Sequence, residues 1–291
     1  MKKVLSVLLA ASLALGMTAC GSTASSEAAS EPAASESTAS SEAASSEAAS
    51  DATSDTASAE VTTVEPGKLI MSTNAAFPPY EMTADDGSFE GIDVEIAGAI
   101  AEKLGLELQI DDMDFDAALL AAQTGKSDMV MAGVTVTEDR QTVMDFSDSY
   151  AAGIQVVIVP EDSDIASIDD MTGKMIGVQR GTTGDQYCSA SVEDGGFGEE
   201  NVTRYDNGLT AVQALNNGQV DCVVIDNAPA QEFVEANPGL KILDTEYANE
   251  EYAIGVAKGN TQLLDAINTA IAELKADGTI QSILDKYISA E

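Results

Sequence analysis

The feature that most constrains the fold is the alternation, from Lys68 onward, of short apolar segments with longer amphipathic ones. Short segments rich in Val, Ile and Leu are typical of buried strands, and apolar residues three or four positions apart are typical of helices. Residues 93–104 are one such helix, with Ile96 and Ile100 on one face and Gly105 as a stop signal. Strands that alternate with helices indicate an α/β fold.

The alternation divides into two successive αβ cycles, which favours two lobes. The first cycle is predicted to hold strands at 69–72, 106–110, 129–132 and 154–159, and helices at 93–104 and 116–124. The second is predicted to hold strands at 175–178 and 220–225, and helices at 209–216 and 228–235, the former with Leu209, Val212 and Leu215 in register. A strand at 252–257 and two helices follow, and spacing alone does not decide whether they return to the first lobe.

Polar motifs follow three of the predicted strands at the point where each strand ends. Residues 135–140, Thr-Val-Thr-Glu-Asp-Arg, come after the strand at 129–132, and Gly181-Thr182-Thr183 opens a helix after another strand. Asp226 ends a third. Sheets of α/β proteins bind ligands at the carboxyl ends of their strands. Their common position, more than any one motif, predicts a binding site there.

The residue types in these motifs suit a ligand that carries both a carboxylate and an ammonium group. The guanidinium of Arg140 matches the two oxygens of a carboxylate, and the backbone N–H groups of a helix start near Thr182 favour the same group. Asp226 supplies a negative charge for an ammonium. A free amino acid has both groups on one carbon.

Composition excludes several other functions. The chain has 13 Lys and Arg against 50 Asp and Glu, a net charge of −37, which disfavours nucleic acid because phosphate binding needs basic residues. It has 0 His, which excludes His-based triads and His-ligated metal sites, and its 3 Cys form no Cys-x-x-Cys pair. No metal or organic cofactor is therefore expected. Cys188 and Cys222 suit either a disulfide or two small apolar core positions.

The N-terminus has the pattern of an export signal. Lys2 and Lys3 precede an apolar segment from Val4 to Leu15, which is short for a permanent membrane span, and small residues follow. Cys20 at the end of this segment resembles the lipid-modified Cys of bacterial lipoproteins, although Met17 stands where Leu is usual. The alternative is an ordinary secretory signal with a coincidental Cys.

Residues 21–66 are predicted to be a disordered tether. They consist mostly of Ser, Ala, Thr and acidic residues, and they bury too little apolar surface to offset the entropy of ordering. With 1–20 as a signal that ends at a lipidated Cys20, the mature protein is expected outside the cytoplasm, anchored to the bacterial cell membrane.

The folded part, from about Lys68 to Ile288, resembles the amino-acid-binding (family 3) solute-binding proteins of ABC importers, which have a type II periplasmic-binding-protein fold. The resemblance rests on seven blocks in order: Asn74–Glu81, Gly91–Glu95, Gly125–Asp128, Thr135–Arg140, Asp145–Tyr150, Gly177–Thr183 and Asp221–Asp226.

The resemblance implies a two-lobed clamp that closes on its ligand and works with a membrane permease, as a monomer and not as an enzyme. Lobe 1 would comprise 67–153 and 252–291, and lobe 2 would comprise 157–247. The hinge would be two crossover segments, near 152–155 and 248–251.

The resemblance also implies a role for each site residue. Arg140 would hold the ligand carboxylate, with the Thr135 backbone and the helix start at 182–183, and Asp226 on the other lobe would hold the ammonium, with the Gly133 carbonyl and the Thr135 hydroxyl. The walls would be formed by four further residues: Phe77, Phe115, Asn74 and Gln179.

The ligand class is less constrained. Asn74 departs from the acid often found at this position in relatives that bind basic side chains, so a neutral polar or apolar amino acid is favoured. Glu81, Asp112 and Asp114 lie close enough in the sequence to keep a basic ligand open.

Simpler structural roles stay open for the same residues. Arg140 could pair with Glu138 or Asp145, Asp226 could cap the helix at 228–235, and the threonines at 182–183 could serve the turn alone. Phe77 and Phe115 could be ordinary core residues. An enzyme resembling cyclohexadienyl or arogenate dehydratases, which share the fold, is the alternative function.

Overall fold

The computed structural model describes residues 61–244 and 246–288, so the predicted signal, Cys20 and most of the predicted tether lie outside the described residues. The strands are β1 Lys68–Thr73, β2 Ala76–Phe77, β3 Glu81–Thr83, β4 Phe89–Glu90, β5 Glu107–Asp112, β6 Met129–Val130, β7 Met144–Phe146, β8 Ala151–Pro160, β9 Ile176–Gln179, β10 Val202–Tyr205, β11 Cys222–Asp226, β12 Leu240–Ile242, β13 Ala248–Tyr252 and β14 Gly255–Ala257.

The α-helices are α1 Ile92–Leu104, α2 Phe115–Gln123, α3 Glu138–Val143, α4 Thr183–Ser189, α5 Gly208–Asn216, α6 Asn227–Ala236, α7 Thr261–Ala276 and α8 Thr279–Tyr287. Three short 3-10 helices cover Ile168–Met171, Val192–Asp194 and Glu199–Asn201. None of the described helices is both long and apolar enough to cross a membrane.

The first large sheet has the strand order β5-β1-β6-β14-β7. Strand β1 pairs in parallel with β5 and β6, and β14 joins antiparallel between β6 and β7. Helices α1, α7 and α8 bury apolar residues against this sheet, among them Ile96, Ile100, Ile267 and Ile271. The C-terminal helices therefore pack on the N-terminal sheet, a point that sequence spacing did not decide.

The second large sheet has the order β10-β9-β11-β8-β12, with β13 also paired to β8. Strands β9, β10 and β11 are parallel, and β8 runs antiparallel to β11, β12 and β13. Cys188 and Cys222 are both buried in one core of this sheet as free thiols, so they occupy the small apolar positions and not a disulfide.

The two crossover segments pair with each other as antiparallel strands. In the β8–β13 ladder, Gln155 lies opposite Ala248 and Ala151 lies opposite Tyr252. The predicted single strand at 252–257 is wrong, because β13 ends at Tyr252 in the second sheet and β14 begins at Gly255 in the first. The break lets the chain pass from one sheet to the other.

A small third sheet, β2-β3-β4, was not predicted, because its strands have only two or three residues and carry no periodicity. Its first two strands pair so that Phe77 lies opposite Glu81. Helix α1 follows directly and ends at Gly105 in the left-handed conformation, with φ of 69°, as its stop signal predicted.

One predicted core residue is wrong. Leu209 is 45 % exposed, whereas Val212 and Leu215 on the same helix, α5, are buried. Leu209 is the second residue of the helix, which begins at Gly208, so it projects beyond the edge of the core that the later turns cover.

Candidate functional site

A cavity between the two large sheets brings together all ten residues for which the sequence and the resemblance predicted a binding role. It contains about 440 Å³ of space between protein atoms, part of it open to solvent. Its lining includes Asn74, Phe77, Phe115, Gly133, Thr135, Arg140, Gln179, Thr182, Thr183 and Asp226.

Arg140 is positioned by the first turn of α3. Thr137 caps this helix, and its hydroxyl accepts a hydrogen bond from the backbone N–H of Arg140 at 3.2 Å. The guanidinium Nη1 donates to the Thr135 carbonyl at 2.8 Å, and Nη2 donates to the Gly181 carbonyl, on the opposite sheet, at 3.2 Å. The Phe115 ring lies under the guanidinium, 5.4 Å from its centroid to Cζ.

The charge of Arg140 is buried, and no carboxylate among the described residues forms an ion pair with it. The residue is 6 % exposed, and its Nε has no hydrogen-bond partner among the described residues. Burial lowers the pKa of Arg140, and the attraction of Glu250 partly offsets this effect. Asp145, one alternative partner, pairs with Lys258 instead. A buried cation that is bonded only to carbonyls is energetically poor, so this site favours an anion.

Asp226 supplies the opposite charge from the second sheet. It is the last residue of β11 and the N-cap of α6, where Oδ1 accepts from the Ala228 N–H at 3.1 Å. Oδ2 accepts from the Ile154 N–H at 2.8 Å, and the Tyr252 hydroxyl donates to the same carboxylate. The residue therefore both caps the helix and faces the cavity.

Burial raises the pKa of Asp226 to about 6, although its hydrogen bonds to Tyr252, Ala228 and Ile154 favour the ionised form. A carboxylate that is desolvated and has no cation beside it gains most from a ligand that brings one. Arg140 therefore favours an anion and Asp226 favours a cation in the same cavity.

Direct hydrogen bonds between the two sides of the cavity involve two further predicted residues. The Gln179 Nε2 donates to the Asn74 Oδ1 at 2.9 Å, and the Asn74 Nδ2 donates to the Met113 carbonyl at 2.9 Å. This part of the wall is formed by neutral amides. Of the three acids that kept a basic ligand open, Asp112 and Asp114 are exposed, and only Glu81 lines the cavity.

The helix start at 182–183 has a local structural role as well. The Thr182 hydroxyl donates to the Gln179 carbonyl at 2.8 Å and accepts from the Asp185 N–H at 3.3 Å. Its hydroxyl is thus used by the turn, as the simpler alternative proposed, while Thr182 and Thr183 both line the cavity.

Sequence reasoning missed Glu250, which links the crossover strands to the site. Its Oε2 accepts from the Thr135 hydroxyl at 2.9 Å and from the Gln155 Nε2 at 3.1 Å, and the residue is buried. It also missed Gln155 and Tyr252, which line the cavity. All three lie within the crossover strands β8 and β13, so no motif at a strand end marks them as site residues.

Residues 69–290 match the family model described as bacterial extracellular solute-binding proteins, family 3. The chain belongs to this family. It is similar to the L-cystine-binding protein TcyJ of Escherichia coli K12, with 31% identity over 230 residues that cover 78% of this chain and 85% of TcyJ.

The chain is also similar to solved structures of amino-acid-binding proteins. An ancestral arginine-binding protein bound to arginine has a TM-score of 0.71 and 42% identity, covering 77% of this chain and 99% of that one. The same kind of protein bound to glutamine has a TM-score of 0.71 and 41% identity, covering 77% and 99%. These relatives are binding proteins and not enzymes, and they confirm the predicted two-lobed periplasmic-binding-protein fold.

In the described part of this family member, no group of three or more metal-binding side chains is arranged to hold a metal ion.

Gly153 should be intolerant of a side chain, because it lies against the groups that hold Asp226. A Cβ there would lie 2.5 Å from the Tyr252 Cζ and 2.8 Å from the Asp226 Oδ2. We expect Gly153→Ala to lower the free energy of unfolding by roughly 1–3 kcal/mol, as overpacking does. Urea denaturation measures this change.

Gly98→Ala is the matched control, since a Cβ at Gly98 in α1 meets nothing within 4 Å. This variant should be as stable as the wild type or more stable by about 0.5–1 kcal/mol. Equal stability of the two variants would contradict the close packing around Asp226.

Proposed function

We propose that this protein captures a free L-amino acid in the cavity, outside the cytoplasm, and delivers it to the permease of an ABC importer. The observation that carries the proposal is the pair Arg140 and Asp226. These opposite charges are buried, come from different sheets and line one cavity. A zwitterion that carries a carboxylate and an ammonium on one carbon satisfies both.

The carboxylate end of the ligand would lie at Arg140. The guanidinium offers a planar set of donors that matches two carboxylate oxygens, and it has a donor, Nε, without a partner among the described residues. Thr182 and Thr183 line the same cavity at the start of α4, where backbone N–H groups favour an anion. The Thr135 backbone completes this end.

The ammonium end would lie at Asp226. The Gly133 carbonyl and the Thr135 hydroxyl would be the other two acceptors, and both residues line the cavity. Because the Thr135 hydroxyl donates its proton to Glu250, its lone pairs are turned away from that bond and can accept from an ammonium.

Closure would follow from the separation of these two ends. Lobe 1 would comprise 67–153 and 252–291, lobe 2 would comprise 157–247, and the paired strands β8 and β13 would act as the hinge. A ligand shifts the balance between open and closed states only by binding one of them better. Only the closed state contacts both ends of one zwitterion, so the ligand would favour closure.

Arg140→Ala should abolish measurable amino-acid binding and leave the fold intact. The variant would leave the ligand carboxylate buried without a partner, which costs roughly 2–5 kcal/mol for such pairs, or about 30-fold to several thousandfold in affinity. Calorimetry with the amino acid that most stabilises the wild type measures the loss.

Arg180→Ala is the control, because Arg180 is half exposed and its nearest acid, Asp206, is 3.7 Å away. It should bind as the wild type does. Unchanged affinity of Arg140→Ala would refute the assignment of the carboxylate site.

The ligand we favour is a neutral polar or apolar amino acid. The amide pair Asn74 and Gln179 and the rings of Phe77 and Phe115 line the cavity, and none of these four brings a formal charge. The relatives support both this class and the basic class, since their names include cystine and arginine, and one ancestral arginine-binding protein is bound to glutamine.

A thermal-shift screen of the twenty standard amino acids, cystine and ornithine distinguishes these classes. We expect the largest upward shift from a neutral polar or apolar ligand, because the amide pair can bond to it without burying an unpaired charge. If arginine, lysine or ornithine gave the largest shift, the proposed ligand class would be wrong. The assignment of the two charged ends of the site would not be affected.

We also propose that residues 1–20 are a lipoprotein signal, that Cys20 is lipidated, and that 21–66 tether a monomeric receptor to the cell membrane. The charge distribution and apolar segment of the signal support this proposal. The anchor would keep the receptor near its permease.

Mass spectrometry of the membrane fraction should find a lipid-modified N-terminal Cys20. Cys20→Ser should move the protein to the soluble fraction, whereas Cys188→Ser, at a buried thiol, should not. A wild-type protein released with an unmodified N-terminus downstream of Cys20 would indicate an ordinary secretory signal.

A further inference from the structure

Two carboxyl groups that the proposed ligand contacts do not use lie in the wall of the cavity and directly behind it. Glu81 in β3 and Asp93 in α1 are both 0 % exposed. Glu81 lines the cavity. The Asp93 Oδ2 accepts a hydrogen bond from the backbone N–H of Gly133, another lining residue, at 2.9 Å. The pair therefore connects the cavity wall to the loop that follows β6.

Local backbone contacts explain why the two carboxyl groups meet. The N–H groups of Ile92 and Asp93 donate to the carbonyls of Pro79 and Tyr80 at 3.0 and 2.9 Å. These bonds fix the first turn of α1 against the segment that leads into β3. Glu81 is the next residue along this segment, so its side chain is placed beside that of Asp93.

Three oxygens of the pair, Glu81 Oε1 and Oε2 and Asp93 Oδ1, are buried without a hydrogen-bond partner among the described residues. A carboxylate only accepts, so the two carboxyl groups can bond to each other only when one of them is protonated. A proton shared between them would give these oxygens the partner that they lack. Two ionised carboxylates in one buried site would repel each other strongly.

The surroundings favour the neutral form of Glu81. Asp93 faces it from α1 and Asp112 faces it from β5, while the phenols of Tyr80 and Tyr150 lie beside the pair. All four neighbours are acidic groups, so none of them brings a positive charge to the pair. Burial and the charge of Asp93 raise the pKa of Glu81 well above its usual value, and burial raises the pKa of Asp93 to about 6. Both effects favour the presence of a proton on the pair.

Gly133 is the residue that this pair would position. Its φ is 54°, in the left-handed region, and a Cβ there would lie 2.9 Å from the Phe77 Cε1, so the peptide is confined on its cavity side. The bond to Asp93 confines it on the other side.

We propose that Glu81 is a neutral acid that donates its proton to Asp93, and that this pair positions the Gly133 peptide at the ammonium end of the binding site. Glu81 and Asp93 are then positioning residues. The inference rests on the proposed function only for the role of Gly133, since the bond between Gly133 and Asp93 is present without a ligand and the proton can be measured without one. A direct contact between Glu81 and a basic ligand side chain is the competing role.

The shared proton is tested without any ligand. In the infrared spectrum at pH 7.5 we expect the C=O stretch of a protonated carboxylic acid, and Glu81→Gln should remove it. The folded state keeps a proton that unfolded Glu81 has lost, so the unfolding equilibrium constant should rise up to about tenfold per pH unit between pH 7 and 8.5. Glu81→Gln should remove this slope.

Glu90→Gln is the matched control, because Glu90 in β4 is exposed and the change is the same. It should keep both the infrared band and the slope. If the wild type lacks the band, or has the same slope as Glu81→Gln, the shared proton is absent and the proposal is overturned.

The positioning role is tested by hydrogen exchange of the Gly133 amide. Gln at position 81 can still donate to Asp93, so Glu81→Gln should keep the protection of this amide. Glu81→Ala and Asp93→Ala should speed its exchange at least about tenfold, relative to buried amides of β1 in the same sample. Glu81→Met fills a similar space without a donor and should speed the exchange, so a difference between the Met and Gln variants distinguishes this role from filling of space.

Two results would overturn the positioning role. One is unchanged Gly133 exchange in folded Glu81→Ala. The other is a gain of L-glutamine binding over L-arginine binding in Glu81→Gln with Gly133 unaffected, which would make Glu81 a ligand contact. If Glu81→Ala does not fold, the same decision falls to Glu81→Met, which is close in size to Glu but has no donor for Asp93 and should also speed Gly133 exchange. Failure of the wild type to bind any amino acid would refute the proposed function and leave these measurements intact.

Discussion

The burial of two opposite charges on opposite sides of one cavity is the constraint on which the rest of the site depends. Arg140 is bonded to backbone carbonyls, and Asp226 to backbone N–H groups and a phenol. Neither arrangement neutralises the charge, and removal of charged groups from water is costly. An anion at Arg140 and a cation at Asp226 would neutralise both charges.

Side chains of the crossover strands join the two sides of the site. Glu250 in β13 accepts hydrogen bonds from Thr135, on the side of the first sheet, and from Gln155 in β8. The bonds from Gln179 to Asn74 and from Arg140 to Gly181 also join the two sides. A ligand therefore has to improve on contacts that the protein makes by itself. In the proposed binding mode its two charged ends would give it that advantage, and its side chain would determine how well the amide wall is replaced.

The part of this site that lies at strand ends could be predicted from the sequence. Arg140, Thr182 and Asp226 each come at or after the end of a buried strand with a clear apolar pattern. Parallel pairing of β9 with β11 brings Thr182 and Asp226 to one edge of the second sheet, and Arg140 follows β6 in the first sheet. The resemblance to a family added the assignment of each residue to one end of the ligand. Helix α1 was also predictable, because its apolar spacing and Gly105 are local signals.

The parts that could not be predicted depend on long-range pairing. Glu81 lies on a three-residue strand without periodicity, and its neighbour Asp93 is brought to it by backbone bonds that no pattern encodes. Glu250 lies on the more buried face of β13, between Ala248 and Tyr252, where hydropathy does not predict a polar residue. The break between β13 and β14 was missed because both strands are apolar around it, and only the sheets they join tell them apart.

A crystal structure of the protein with its amino acid bound tests the central claim most directly. The account predicts the ligand carboxylate within hydrogen-bonding distance of the Arg140 guanidinium and the ligand ammonium within hydrogen-bonding distance of the Asp226 carboxylate. A ligand that contacts only one of these groups, or that lies outside the cavity between the two sheets, would contradict it.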